Sequence, residues 1–276
     1  ENLKMINTKL SKRSIYLIKR LKNTMKLCFE VLIDHIVNSS FEPMGYEMYF
    51  GGDDIGSIDI KTKNGKVFSI KGIIDRADKF EDENGTYVRI IDYKTGKKTF
   101  NFSDVFYGLD VQLLVYLKAL VNSNENYKYG GALYFKIDDC IFDGDNKYAK
   151  NLTDSKIKST LKLRGLIPSD ENVFGAYDEN TKKRANTATY DQIENLLSKV
   201  FKTVTELCDS MVSGDIEIKP YKKSNKTPCS YCPYKNVCKF ELGSACYDNI
   251  TSLKKEEIFE MISEGGGKDV DKLSEQ

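Results

Sequence analysis

The chain has 276 residues, of which 40% are hydrophobic and 30% are charged, and its formal net charge is +1. This length and composition are typical of a globular protein with a buried core, and no apolar run approaches the ~20 residues that a bilayer-spanning helix needs. The near-neutral charge excludes any inference of a nucleic-acid partner from overall charge, because phosphate binding depends on local positive charge.

The sequence also predicts the cellular compartment of the protein and whether the chain is part of a longer one. Seven cysteines without a signal-peptide pattern favour a reducing, cytoplasmic environment over a disulfide framework. The chain opens on Glu1 and continues into a basic helical stretch, which indicates a piece of a longer protein. Lysine and arginine form local clusters, each of which, taken alone, is typical of a solvated helix face or loop. The clusters are Lys9, Lys12, Arg13, Lys19, Arg20, Lys22 and Lys26; Lys94, Lys97 and Lys98; and Lys219, Lys222, Lys223 and Lys226.

The first half of the chain reads as one helix followed by strands. Apolar residues at intervals of three or four predict a helix over residues 14–37. They are Ile15, Ile18, Leu21, Met25, Cys28, Leu32 and Ile36. A short strand is expected at 46–50, and two clear strands at 66–78 and 87–94 are joined by a polar hairpin turn.

The second half predicts an amphipathic helix at 109–121, a strand at 130–137 and a long helix at 190–211. Thr187 or Thr189 would cap that long helix, and Gly214 would end it. Residues 138–183 are polar and look irregular, so they are interpreted as an insertion. A short helix after Leu253, followed by a disordered end, is expected in the tail. The order of elements favours an α/β fold in which helices flank a mixed β-sheet. We expect a core at 1–218, a cysteine-rich segment at 219–247 and a tail at 248–276.

The hairpin carries charged residues that could form a site. Asp92 and Lys94 share one face of the second strand, because strand side chains alternate. If the turn is at 84–85, Asp75 lies opposite Lys94; if it is at 83–84, Asp75 lies opposite Asp92. Both registers bring Asp75, Asp92 and Lys94 together, and a one-residue slip would separate them.

Two carboxylates and an ammonium group suit phosphodiester hydrolysis. Mg²⁺ prefers oxygen ligands and often keeps waters and substrate oxygens around one or two carboxylates. A bound metal polarises a phosphoryl oxygen and activates water, and a lysine can stabilise the developing charge. A salt-bridge trio on an exposed sheet face is an equally weighted alternative on spacing alone.

Three motifs resemble the RecB-type nuclease family of the PD-(D/E)XK superfamily. They are GIIDRAD at 72–78, IDYKTG at 91–96 and GLDVQLLVY at 108–116. The resemblance implies a restriction-endonuclease-like core with a C-terminal cysteine-rich segment. It also implies that Asp75, Asp92 and the carbonyl of Tyr93 bind Mg²⁺ or Mn²⁺ and that Lys94 is the catalytic lysine. Gln112 and Tyr116 match the family's Q-x-x-x-Y motif, and their spacing of four places them on one helical face, where they could contact DNA or support the site.

One position departs from the family pattern. The family takes a histidine ligand from a helix well upstream of the hairpin, and the context of His35, the one histidine here, does not match. We therefore interpret His35 as an ordinary helix residue. Glu47 falls in a segment that resembles the family's pre-hairpin region, where a role near the site and simple solvation both remain open.

The resemblance implies a function and partners. The expected activity is metal-dependent hydrolysis of single-stranded DNA ends, in double-strand-break processing and recombinational repair. The expected partners are DNA and an AddA-like helicase–nuclease subunit. The alternatives are a stand-alone exonuclease of the CRISPR-associated type and a non-catalytic DNA-binding or interaction module.

Four cysteines cluster late in the chain. Cys229, Cys232 and Cys238 form a C-x₂-C-x₅-C pattern, and Cys246 follows. Such thiolates could bind either zinc or an iron–sulfur cluster. The resemblance implies that Cys229, Cys232 and Cys238 bind a [4Fe–4S] cluster whose fourth ligand comes from far upstream, so that the cluster would be incomplete in this chain. Cys28, in an apolar helical stretch, is expected in the core.

Overall fold

The structure, a computed structural model, describes residues 11–53, 55–96, 98–137, 161–240 and 247–264. Its helices are α1 (Lys12–Val37), α2 (Phe102–Phe106), α3 (Gln112–Asn122), α4 (Glu171–Gly175), α5 (Glu179–Lys182), α6 (Tyr190–Ser213), α7 (Lys235–Cys238) and α8 (Lys255–Glu264). The strands are β1 (Glu42–Phe50), β2 (Ile58–Lys61), β3 (Val67–Ile70), β4 (Gly72–Asp82), β5 (Gly85–Thr95), β6 (Tyr127–Ile137), β7 (Leu163–Pro168), β8 (Asn186–Ala188), β9 (Tyr221–Lys223) and β10 (Asp248–Ile250).

Six strands form the central sheet, in the order β1-β4-β5-β6-β7-β8. The pairs β1–β4, β4–β5 and β6–β7 are antiparallel, whereas β5–β6 and β7–β8 are parallel. The predicted mixed sheet flanked by helices is therefore confirmed. In the described ranges, no helix combines the length and apolarity that crossing a bilayer requires.

The strands bury residues on both faces of the sheet because neighbouring side chains alternate. On what we call the first face, Ile90, Ala132 and Tyr134 pack in one core cluster with residues of α3, α6 and α8. On the second face, Ile91 and Leu133 pack in another cluster with residues of α1 and α4. The sheet thus lies between two helical layers.

A β-bulge sets how β5 meets β6. Val88 pairs with Tyr129, but the next residue, Arg89, pairs with Gly131, so β6 contains one extra residue. Gly131 has φ +147°, and a Cβ there would lie 2.3 Å from the Tyr177 hydroxyl oxygen, so the position requires glycine. Beyond the bulge, Asp92 pairs with Tyr134. Without it, Asp92 would face Leu133, whose side chain points to the opposite face.

Helix α1 confirms the predicted helix, but several of its apolar residues are not buried. The buried residues are Thr24, Cys28, Val31 and His35. Ile15, Leu21 and Met25, three of the apolar residues whose spacing predicted the helix, are exposed. The helix is apolar on more than one side, so three-to-four spacing did not identify the face that packs. Cys28 lies in the core, as predicted.

Several other boundaries also differ from expectation. Residues 138–160 lie outside the described residues. The irregular structure expected for 161–183 was wrong, because this range contains β7, α4 and α5. The strand expected at 66–78 is divided into β3 and β4. Thr189 caps α6 with a reciprocal capping box, and Gly214 ends it with φ +75°. The tail helix is confirmed as α8, whose Ile258 and Phe259 belong to the core, whereas the end expected to be disordered lies outside the described residues.

Candidate active site

The hairpin of β4 and β5 brings the two predicted carboxylates together. Arg76 pairs with Ile91 and Asp82 with Gly85, so the turn is at 83–84, and the next position in this register sets Asp75 opposite Asp92. The Oδ2 atom of Asp75 accepts a hydrogen bond of 2.8 Å from the backbone N–H of Tyr93. The carboxylate of Asp75 is therefore held against the segment of β5 that carries Asp92, Tyr93 and Lys94.

Asp92 is a buried carboxylate, only 3% exposed. Burial raises its pKa above the ordinary value, the nearby Lys94 opposes that rise, and the negative charges of Asp75 and Asp110 add to it. The Nζ atom of Lys94 lies 2.6 Å from Oδ2 of Asp92, yet this Oδ2 has no well-aligned hydrogen-bond donor among the described residues. A buried carboxylate oxygen without an aligned donor is suited to binding a cation.

Helix α3 positions Lys94 through a side-chain hydrogen bond. Nζ of Lys94 donates to Oε1 of Gln112 over 3.2 Å, and Nε2 of Gln112 donates to the hydroxyl of Tyr116 over 3.1 Å. The Tyr116 ring packs edge-on against Phe50, with ring centroids 5.2 Å apart. The structure therefore joins Asp92, Lys94, Gln112 and Tyr116 in one continuous set of polar contacts, which the motif spacing alone did not specify.

Sequence reasoning missed Asp110, Tyr134 and Lys98 as neighbours of this set. The Tyr134 hydroxyl donates to Oδ1 of Asp110 over 2.7 Å, and Nζ of Lys98 lies 3.1 Å from the same oxygen. Burial, followed by the charges of Asp110 and Asp92, raises the pKa of Tyr134, so its hydroxyl stays protonated and remains a donor. Asp110 could have been noticed as the acid within the GLDVQ motif. Tyr134 could not, because its position depends on the bulge.

The donor set suits a hard divalent cation. The carboxylates of Asp75 and Asp92 offer oxygen atoms, the kind of ligand that Mg²⁺ and Mn²⁺ prefer, and the carbonyl of Tyr93 would be a further oxygen ligand if the predicted site binds metal. In the described ranges, no group of three or more His, Cys, Asp or Glu converges as a metal site, so a metal here would depend on these few oxygens and on substrate.

His35 and Glu47 do not join the site's polar contacts. His35 is buried, and its Nδ1 lies 3.0 Å from Oδ2 of Asp178, where helix α1 meets the start of α5. It serves as a structural helix residue, as expected. Glu47 is exposed on β1, between the residues that pair with Arg76 and Ile74, and has φ +50°. This left-handed conformation is rare for a glutamate, and nothing in the structure explains it.

The cysteine segment carries three free thiols. Cys229 and Cys232 are half-buried and Cys238 is exposed, in a stretch made of the 3₁₀ turn Pro228–Ser230 and α7. Cys246 lies outside the described residues. The three thiols do not converge as a metal site within the described part of the chain. The iron–sulfur site stays a prediction.

Comparison with known proteins places the chain in a family. Residues 4–239 match the family described as the PD-(D/E)XK nuclease superfamily. The chain is 36% identical, over 92% of its length, to 24% of an ATP-dependent helicase/deoxyribonuclease subunit of Clostridium tetani. It is 38% identical, over 97% of its length, to 25% of the protein of the same name in Caldanaerobacter subterraneus. The chain thus spans about a quarter of the length of the curated relatives that it matches.

Proposed function

The chain belongs to the PD-(D/E)XK nuclease superfamily, and from that premise we propose that it hydrolyses phosphodiester bonds of DNA with a divalent metal ion. The observation that carries the proposal is the set of polar contacts around Asp92. Its buried carboxylate lies beside Asp75 and has Lys94 2.6 Å away. A salt-bridge trio on an exposed face, the alternative on spacing alone, does not fit a carboxylate that is only 3% exposed.

We assign a separate role to each group of the site. Asp75, Asp92 and the carbonyl of Tyr93 would hold Mg²⁺ or Mn²⁺, which when bound polarises the scissile phosphate and lowers the pKa of a water. Lys94, fixed by Gln112, would stabilise charge that develops on the phosphate as the bond breaks. Tyr116 holds Gln112 in place and thereby limits the positions that the Lys94 ammonium can take.

The names of the relatives suggest the biological setting. They are helicase/deoxyribonuclease subunits, and this chain matches a quarter of each. We propose that the substrate is single-stranded DNA delivered by a helicase, in the processing of double-strand-break ends. The corresponding partner would be an AddA-like helicase–nuclease subunit.

Degradation of end-labelled single-stranded DNA tests the activity. The parent chain is compared with Lys94→Ala, in buffer with Mg²⁺, with Mn²⁺, and with EDTA. Lys128→Ala is the matched control, because Lys128 is an exposed lysine at the other end of the adjacent strand β6. We expect metal-dependent cleavage by the parent and by Lys128→Ala, and a loss of at least about a hundredfold in Lys94→Ala. Cleavage that survives in Lys94→Ala would overturn the assignment of the site.

A further inference from the structure

Beyond the site, the first face of the sheet continues into a group of basic residues. Asp92 pairs with Tyr134 across β5 and β6, and Tyr134 pairs with Arg164 across β6 and β7. Paired residues of neighbouring strands point to the same face. Arg164 therefore lies on the face that carries Asp92, about 10 Å away, since it is two strand spacings distant.

The burial of the neighbouring residues in β7 agrees with this orientation. Leu163 and Ile167 pack into the core of the second face, whereas Leu166 packs into the core of the first. Arg164 alternates with Leu163, so it points the same way as Leu166. It is half-buried rather than buried, and so is accessible from solvent.

Two more cations lie close to Arg164, and we call the three residues Lys162, Arg164 and Arg184 the basic cluster. Lys162 is only 6% exposed. Burial lowers the pKa of Lys162, and the positive charges of Arg184 and Arg164 lower it further, against the opposing charge of Asp178. Both arginines are therefore near enough to Lys162 to disfavour its charged form, an effect that a bound anion would offset.

The cluster also lacks carboxylate partners. Among the described residues, none of its three members forms a salt bridge. Most other buried or half-buried cations near the sheet do have such partners: Arg76 and Arg89 contact Asp78, and Lys94 contacts Asp92. Between the cluster and the site, Lys136 of β6 pairs with Lys94 of β5.

We propose that the basic cluster binds phosphate groups of the DNA strand whose scissile bond lies at Asp92. This rests on the proposed function, because it assumes that the substrate enters the site on the first face. The strand would run across β6 and β7, with Arg164 and Arg184 on successive phosphates and Lys162 behind them. Arginine suits this role because its planar donors match phosphate oxygens in pairs. The contacts would add affinity without reading base sequence.

Binding is tested with cleavage disabled by chelating divalent metal. Anisotropy of a fluorescent single-stranded oligonucleotide is measured in a salt series for the parent and for the double variant Arg164→Gln/Arg184→Gln. The matched control, Arg13→Gln/Lys19→Gln, also removes two cations, from exposed positions on α1, which packs on the second face. We expect the cluster variant to bind about tenfold more weakly, and the slope of log K against log salt to decrease in magnitude by about 1.4. The control should change affinity less than twofold.

The outcomes separate this proposal from the proposed function. Equal affinity and equal salt slope in the parent and the cluster variant would overturn the phosphate-binding role. Weaker binding in the variant, with no cleavage by the parent in the separate activity assay, would support the cluster while the nuclease function fails. If the parent cleaves, the variant should show a raised KM on long single strands with kcat within about twofold of the parent. If the double variant unfolds, Arg184→Gln alone serves, because Arg184 is exposed.

Discussion

Asp92 illustrates how a buried carboxylate can destabilise the protein that contains it. Its pKa is raised by burial and by two neighbouring carboxylates, so the folded protein holds a proton there more tightly than the unfolded chain does. The contribution of this group to the free energy of unfolding is therefore complete below its unfolded pKa and is lost as the pH rises from there through its folded pKa. At neutral pH, the ionised carboxylate lowers stability.

Replacing Asp92 should for that reason have opposite effects on stability and activity. We expect Asp92→Asn to abolish cleavage and to raise the free energy of unfolding by roughly 1 kcal/mol at pH 7, with a smaller gain at pH 4. Urea unfolding at the two pH values measures the change. Glu83→Gln, in the exposed hairpin turn, is the control and should alter neither property. A destabilised Asp92→Asn would contradict the electrostatic account.

Tyr116 is predicted to act on the reaction only through Gln112. Tyr116→Phe removes the 3.1 Å hydrogen bond from Gln112 but keeps the ring against Phe50. Because one neutral hydrogen bond contributes about 1 kcal/mol, we expect kcat to fall severalfold with KM nearly unchanged. Tyr129→Phe is the matched control, since it removes a hydroxyl that accepts from Lys118 on the same helix. That variant should lose similar stability without a change in kcat; equal kcat values for the two variants would contradict the positioning role.

At the scale of elements, the bulge in β6 decides which residues of that strand meet the site. Gly131 has φ +147°, and an added Cβ would lie 2.3 Å from the hydroxyl oxygen of Tyr177, itself bonded to the carbonyl of Gly130. We expect Gly131→Ala to lower the free energy of unfolding by about 2–4 kcal/mol, since it combines backbone strain with a clash. Gly175→Ala, whose Cβ meets nothing within 4 Å, should be neutral or slightly stabilising. Thermal unfolding of the two variants side by side distinguishes them, and equal melting temperatures would refute the requirement for glycine at position 131.

The same bulge explains what the sequence could and could not predict. Strand alternation placed Asp92 beside Lys94, and helical spacing placed Gln112 beside Tyr116, because both depend on local periodicity. How close Tyr134 and Arg164 lie to Asp92 depends on the pairing register across three strands. The extra residue in β6 shifts that register. Strand β7 was missed because Gly165 and Pro168 are typical of turns.

Helix α1 shows a second limit of periodicity. Leu17, Leu21, Met25, Phe29, Ile33 and Val37 recur at every fourth position, and all of them are exposed. The buried side consists of Thr24, Cys28, Val31 and His35, which includes two polar residues. An apolar pattern therefore predicted the helix but not its packing side, because the choice depends on the pairing of His35 with Asp178, 143 residues away.

On the scale of the whole molecule, that pairing connects the first described helix to the segment between β7 and β8. Asp178 accepts hydrogen bonds from Thr181 and from the backbone N–H groups of Asn180 and Thr181, so it also caps α5. Burial alone would raise its pKa, but the contacts with His35 and Thr181 outweigh burial and hold the pKa of Asp178 to about 2. Because the folded value is depressed, this group stabilises the fold above the unfolded pKa of ~3.9 and loses that effect as the pH falls toward the folded value.

Acid unfolding should report this group directly. Asp178→Asn keeps a capping side chain but removes the charge that faces His35, so the cap itself is largely preserved. Between pH 5 and pH 2, we expect the parent to lose about 2 kcal/mol more of its free energy of unfolding than the variant does. Urea unfolding of both proteins across that range measures the difference, with Asp191→Asn, in the first turn of α6, as a control that should follow the parent. Parallel pH profiles for the parent and Asp178→Asn would show that the Asp178 carboxylate does not contribute to holding α1 on the sheet.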